Sequence, residues 1–166
     1  MRVAHRAVKG GREVEKRLRK KLDNRFTLVH SAQLGSRQEL VDAVLVGPHG
    51  VLVFAFSNDA VQVRCLGDTW YTWEPKSKSL EKSEANPLKK LRGDQSATED
   101  FLNERQMAAL VPIESAVLVT DPKTQAEFMD NAVPVLTMDR LDELGTELVN
   151  QRDLIEWKQA EDLLAG

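Results

Sequence analysis

Beyond Gly10 and Gly11, the apolar residues Val14, Leu18 and Leu22 recur at helical spacing among charges. This predicts an amphipathic helix over about residues 12–22, ended by Asp23 and Asn24. The pattern then changes period. Residues 26–30 read as a strand and residues 31–39 as a polar turn. Two apolar, β-branched runs follow, residues 41–46 and 51–56, joined by Gly47, Pro48, His49 and Gly50. They predict a hairpin of central strands, apolar on both faces and therefore covered on both. Residues 61–65 and 70–73 read as further strands about a turn at 66–68, and residues 75–85 as a lysine- and serine-rich loop. Asn86 and Pro87 open a helix, because proline costs nothing in a first turn, and Leu88, Leu91, Phe101, Leu102 and Leu110 carry it to about Ala109. Residues 116–120 form a buried strand, a helix is expected after it, and residues 133–137 form a strand that Pro134 places at a sheet edge. Helices over 139–150 and 153–164, each opened by an aspartate at the N-cap, complete a mixed α/β order.

Composition narrows the class. The chain has 166 residues, enough for one domain spanning 1–166 with a real core, and 42% hydrophobic with 30% charged residues excludes wholesale disorder. No run of 18 apolar residues exists, so no membrane span is expected, and the basic start lacks the apolar region of a secretory signal. A cytoplasmic protein is the expectation. Cys65, the single cysteine, excludes an internal disulfide and a cysteine metal cluster, and a structural thiol is expected. The formal charge of −3 hides an asymmetry: residues 1–25 carry a net +7 and the remainder a net −10. A basic first segment on an acidic body attracts polyanions or folds back on the body's own acidic surface. His5, His30 and His49 have no metal-ligand spacing and read as surface or turn residues. Trp70, Tyr71 and Trp73 offer rings for base stacking, with core or interface packing as the commoner use of such residues.

The hairpin carries the most information. If Val46 pairs with Val51, Val44 meets Val53, and Asp42 meets Ala55. Asp42 is the sole charged side chain in either run, and a carboxylate in a two-sided apolar sheet requires a hydrogen-bonding partner, a cation or an active-site role.

The string from Val41 to Asn58, with Asp42, Gly47, Pro48 and Gly50, resembles the core of the nuclease-related (NERD) domain of the PD-(D/E)xK nuclease superfamily. Gly11, Arg12 and Glu13 are similar to the family's Gly-Glu at its first helix, and Asn86-Pro87 to the Asn-Pro of its later helix, with Lys90 where a glutamine is often found. The resemblance covers about residues 10–120. It implies a restriction-endonuclease-like mixed central sheet flanked by helices. It further implies a catalytic Asp42, a metal-binding carboxylate on the next strand, and a lysine two residues beyond that positions water. A hard Mg²⁺ or Mn²⁺ held by paired carboxylates would stabilise charge developing on a scissile phosphate.

At those positions the chain carries Ala55 and Ser57. The expectation is a catalytically degenerate module with no cofactor, binding DNA, RNA or a protein partner, or else pairing as a homodimer through the Trp70–Trp73 strand or the C-terminal helices. Arg12, Lys16, Arg17, Arg19, Lys20, Lys21, Lys89 and Lys90 are the candidate phosphate contacts. The alternative is an active Mg²⁺- or Mn²⁺-dependent nuclease with a rebuilt site. Asp42 would bind the metal with Glu13 from the first helix, and Lys89 or Lys90 would replace the lysine; Asp59 approaches only through a bulge or register change, and Glu39 faces the other side if the strand begins that early.

Overall fold

The computed structural model describes residues 1–34, 40–59, 61–151, 153 and 157–165. Its elements are β1 (Arg2–Ala4), α1 (Gly11–Arg19), β2 (Thr27–Gln33), β3 (Leu40–Gly47), β4 (Gly50–Ser57), β5 (Gln62–Leu66), β6 (Thr69–Glu74), β7 (Ser79–Lys82), α2 (Pro87–Glu104), β8 (Ile113–Val119), β9 (Gln125–Met129), β10 (Val135–Leu136), α3 (Met138–Asn150) and α4 (Trp157–Ala165). Two sheets form instead of one. A six-stranded mixed sheet has the order β1-β2-β3-β4-β8-β10, and a four-stranded sheet has the order β7-β6-β5-β9.

The central hairpin folds as its pattern demands. The β3–β4 register runs from Gly47 opposite Gly50 through Val46–Val51 and Val44–Val53 to Ala43–Phe54. Every residue of β4 is buried. Along it Val51, Val53 and Ala55 join one core with Leu88, Leu91 and Leu102 of α2, while Leu52, Phe54 and Phe56 join a second with Val14 and Leu18 of α1 and Leu141 of α3. Period-2 alternation thus feeds two cores from one strand. Gly50 makes the tight connection possible with φ +107°, a region L side chains rarely adopt, and a Cβ there would overlap the Pro112 carbonyl.

Several expectations are corrected. The turn expected from residue 31 begins later, since β2 continues to Gln33 by pairing with Leu40. The 75–85 loop contains β7, which pairs with β6 although Leu80 is its single large apolar residue, so its pattern is nearly silent. The helix expected after residue 120 is strand β9: Ala126 and Phe128 pack into the core, and parallel pairing with β5 overrides the helix-forming Ala, Glu and Met. Helix α2 ends at Glu104, five residues early, with Arg105 as its C-cap. Thr137, not Asp139, caps α3, its side chain accepting the Arg140 N–H. The expected cap at Asp153 rests on a helix start outside the described residues. β1, which no pattern announced, pairs parallel to β2. The edge placement of residues 133–137 holds, as β10 borders the six-stranded sheet.

His30 is not a surface residue. It is fully buried on β2, with Glu15 Oε2 of α1 3.5 Å from Nε2, and burial pushes its pKa down. His49 does sit in the hairpin turn, but it is buried and stacked on Phe26 with ring centroids 5.8 Å apart. Burial pushes it down to about 4. Cys65 is buried and free, and burial raises its thiol pKa, as suits a structural thiol.

Candidate functional site

Asp42 lies where the β3–β4 ladder stops. Backbone pairing ends at Ala43–Phe54, and the aspartate side chain takes over, its Oδ2 accepting the Phe56 N–H at 2.9 Å. Extending the register one step brings Ala55 opposite Asp42, and Ala55 is fully buried. The other oxygen, Oδ1, lies 3.6 Å from Lys90 Nζ.

Lys90 reaches this position because α2 begins nearby. Asn86 caps the helix by accepting the Leu88 N–H at 2.9 Å, and Pro87 fills the first helical position. One turn on, the Lys90 ammonium donates to Asp94 Oδ2 at 2.6 Å and to the Leu40 carbonyl at 3.2 Å. Asp94 is buried, so this i,i+4 pair compensates a charge that burial would otherwise make costly. A single ammonium therefore sits among two carboxylates and a carbonyl.

Beside it, a cleft of about 400 Å³ opens at the end of β4, lined by Lys9, Ser57, Asn58, Asp59, Asn86 and Lys90 among others. The Ser57 hydroxyl donates to Asp59 Oδ2 at 2.9 Å, and Asn58 Oδ1 accepts the Thr120 hydroxyl at 2.6 Å. Gly10, in the left-handed conformation with φ +84°, brings the start of α1 against this corner: a Cβ there would overlap Asn58 Oδ1 and Thr120 Oγ1. Replacing Gly10 with alanine is expected to cost about 1–3 kcal/mol, measured by urea unfolding, because steric overlap adds to backbone strain.

A Mg²⁺ or Mn²⁺ ion does not fit the residues at Asp42. One carboxylate oxygen already accepts an N–H and the other faces an ammonium, while position 55 supplies a methyl group where a second acidic ligand would be needed. Among the described residues no three His, Cys, Asp or Glu side chains converge to hold a metal. Glu13 does not line the cleft; its Oε1 accepts from Arg17 Nε at 3.0 Å. Glu39 lies outside the described residues.

The basic residues of the first helix divide into two sets. Arg17 is committed internally: besides Glu13 it reaches Asp142 at 2.6 Å and Asp139 at 3.3 Å on α3, and these partners raise its pKa. Arg19 pairs with Glu15 at 2.9 Å. Part of the basic segment thus folds back on the acidic α3. Arg12, Lys16, Lys20 and Lys21 are exposed and carry no ion pair among the described residues. Arg12, Lys16 and Lys20 recur every fourth residue and so form one stripe. Lys21 packs closely on Gly145 of α3. Lys89 is exposed, and Lys90 is held by the acids described above.

Sequence reasoning raised Lys90 as a substitute lysine but missed Asp94, although the i,i+4 spacing of the two was there to read. It also treated three aromatics alike. Trp70 is fully buried, whereas Tyr71 and Trp73 are partly exposed.

A mixed sheet flanked by helices, with a carboxylate at the end of a central hairpin beside a helix N-terminus, is consistent with a nuclease-like fold. The family model of the nuclease-related domain matches residues 6–120, and the chain belongs to that NERD family. Neither the curated proteins nor the solved structures contain a significant match to it. No helix among the described residues is long and apolar enough to cross a membrane.

Proposed function

We propose that this chain is a non-cleaving NERD module that holds nucleic acid by its phosphate backbone. The observation that carries the reading is the arrangement at Asp42: Ala55 and Ser57 stand at the family's Glu and Lys positions, and a tethered ammonium occupies the space beside the remaining carboxylate. Losing a metal ligand and its cationic neighbour removes several kcal/mol of transition-state stabilisation, by general magnitude about what separates a working site from an inert one. Binding requires none of those groups. Arg12, Lys16 and Lys20 supply three cations on one helical stripe, free of ion pairs among the described residues, with Lys9 at the cleft.

Affinity for duplex DNA is expected to fall with salt along a log–log slope of about −3, close to −0.9 for each phosphate neutralised. The triple variant Arg12→Ala, Lys16→Ala, Lys20→Ala should flatten that slope nearly to zero, and Arg17→Ala should leave it unchanged. Incubation with Mg²⁺ or Mn²⁺ should leave the DNA intact. Mn²⁺-dependent cleavage abolished by Asp42→Ala would instead establish an active enzyme with a displaced site. Failure to bind any nucleic acid at low salt would transfer the module to a protein partner.

A further inference from the structure

The four-stranded sheet has two unlike faces. Val63, Cys65, Trp70, Ala126 and Phe128 point into the core. The opposite face is open, and its rows follow from the register. Lys82, Tyr71, Arg64 and Glu127 lie side by side across β7, β6, β5 and β9, and Trp73 lies opposite Leu80 in an adjacent row. Leu66 and Met129 pair in the row on the other side and are 37% and 59% exposed. Tyr71 and Trp73 thus stand two residues apart on one strand face, about 7 Å from each other by strand geometry.

Charge on this face has one sign to spare. Glu127 is its acidic member and is already bonded by Arg64 at 2.7 Å. Lys82 flanks Tyr71 without an ion pair, and Lys76 and Lys78 at the hairpin tip are equally free among the described residues. Glu81 pairs with Thr72 and therefore belongs to the other face. Rings that are partly exposed, spaced along a strand and bordered by unpaired lysines match the chemistry of an unpaired polynucleotide. Its bases expose π-faces at intervals that such rings can meet, while its phosphates seek cations. Base pairs in a duplex hide those faces.

We infer that the outer face of the four-stranded sheet binds single-stranded nucleic acid by stacking bases on Tyr71 and Trp73, with Lys82 and the Lys76–Lys78 hairpin contacting phosphates. This surface is separate from the α1 stripe and serves a different strand form. Its test is titration of the full chain with a labelled oligothymidine and with a duplex of equal length, at several salt concentrations. Tyr71→Ala and Trp73→Ala should each weaken oligothymidine binding by roughly tenfold or more, as expected for loss of one stacked base. Duplex affinity and its salt slope should stay at the wild-type values. Trp73→Phe should retain most of the affinity, and unchanged circular dichroism and melting would exclude misfolding. The α1 triple variant should show the converse, losing duplex more than single strand. Wild-type affinity for oligothymidine in both ring variants overturns the inference while leaving the α1 reading intact. Loss of duplex binding in the ring variants and the α1 variant alike overturns the separation of sites. Self-association of the wild type that disappears in Trp73→Ala assigns the face to a second copy of this chain and also overturns it.

Discussion

Acidification from pH 7 to pH 4 is expected to cost the fold about 3 kcal/mol through His49 alone. The ring is buried in the hairpin turn against Phe26, and burial pushes its pKa from 6.5 down to about 4. The unfolded chain takes up a proton near pH 6.5, whereas the folded chain does so only near pH 4. Stability is therefore fully present above about 6.5 and is lost as pH falls through that window. His30 is depressed by burial as well and acts in the same direction, with Glu15 opposing. Urea unfolding at pH 7, 6, 5 and 4 reads the effect directly. His49→Leu should flatten much of the pH dependence, and an unchanged slope in that variant would remove the assignment.

Lys90→Met should destabilise the chain by about 2 kcal/mol at neutral pH. The substitution keeps the helix-favouring stem and removes the charge between Asp42 and Asp94. A fully buried pair would forfeit about 3–5 kcal/mol on losing one partner, but the Lys90 side chain is 39% exposed, and water moderates the loss. In thermal terms this corresponds to a drop of about 4–8 °C in Tm for a domain of this size. Asp94→Asn should relieve part of the deficit in the Lys90→Met background, because it removes the more deeply buried of the two charges. A Lys90→Met variant as stable as the wild type at pH 7 would mean that the ammonium contributes nothing to holding α2 against β3.

These two expectations bear on function differently. The Lys90 network occupies the position where the family's chemistry would be performed, so its energetics decide whether that corner is a strut or a vacated site. His49 lies in the turn that fixes the β3–β4 register, on which the placement of Asp42 and Ala55 depends.

The hairpin register was legible in the sequence because a short Gly-Pro-His-Gly connection leaves the two runs little freedom to slip, and a one-residue slip would invert every side chain. The two-sided burial of β4 was legible for the same reason: eight consecutive residues without a charge require cover on both faces. Ala55 and Ser57 were legible because side-chain identity at an assigned register position needs no coordinates. Local composition could not reveal β7 and β9, whose few apolar residues become strands by pairing with β6 and β5. Nor could it decide which cations are free. Arg17 and Lys16 are adjacent in a basic helix, yet Arg17 meets Asp139 and Asp142 across more than a hundred residues while Lys16 faces outward. Sequence alone thus determined the β3–β4 pairing and the side chains, Ala55 and Ser57, that stand along β4 beyond Asp42, because both follow from short-range periodicity. Tertiary structure alone decided that Lys90 fills the space beside that carboxylate and that Trp70, not Trp73, faces the core, because each depends on which distant segment packs against it.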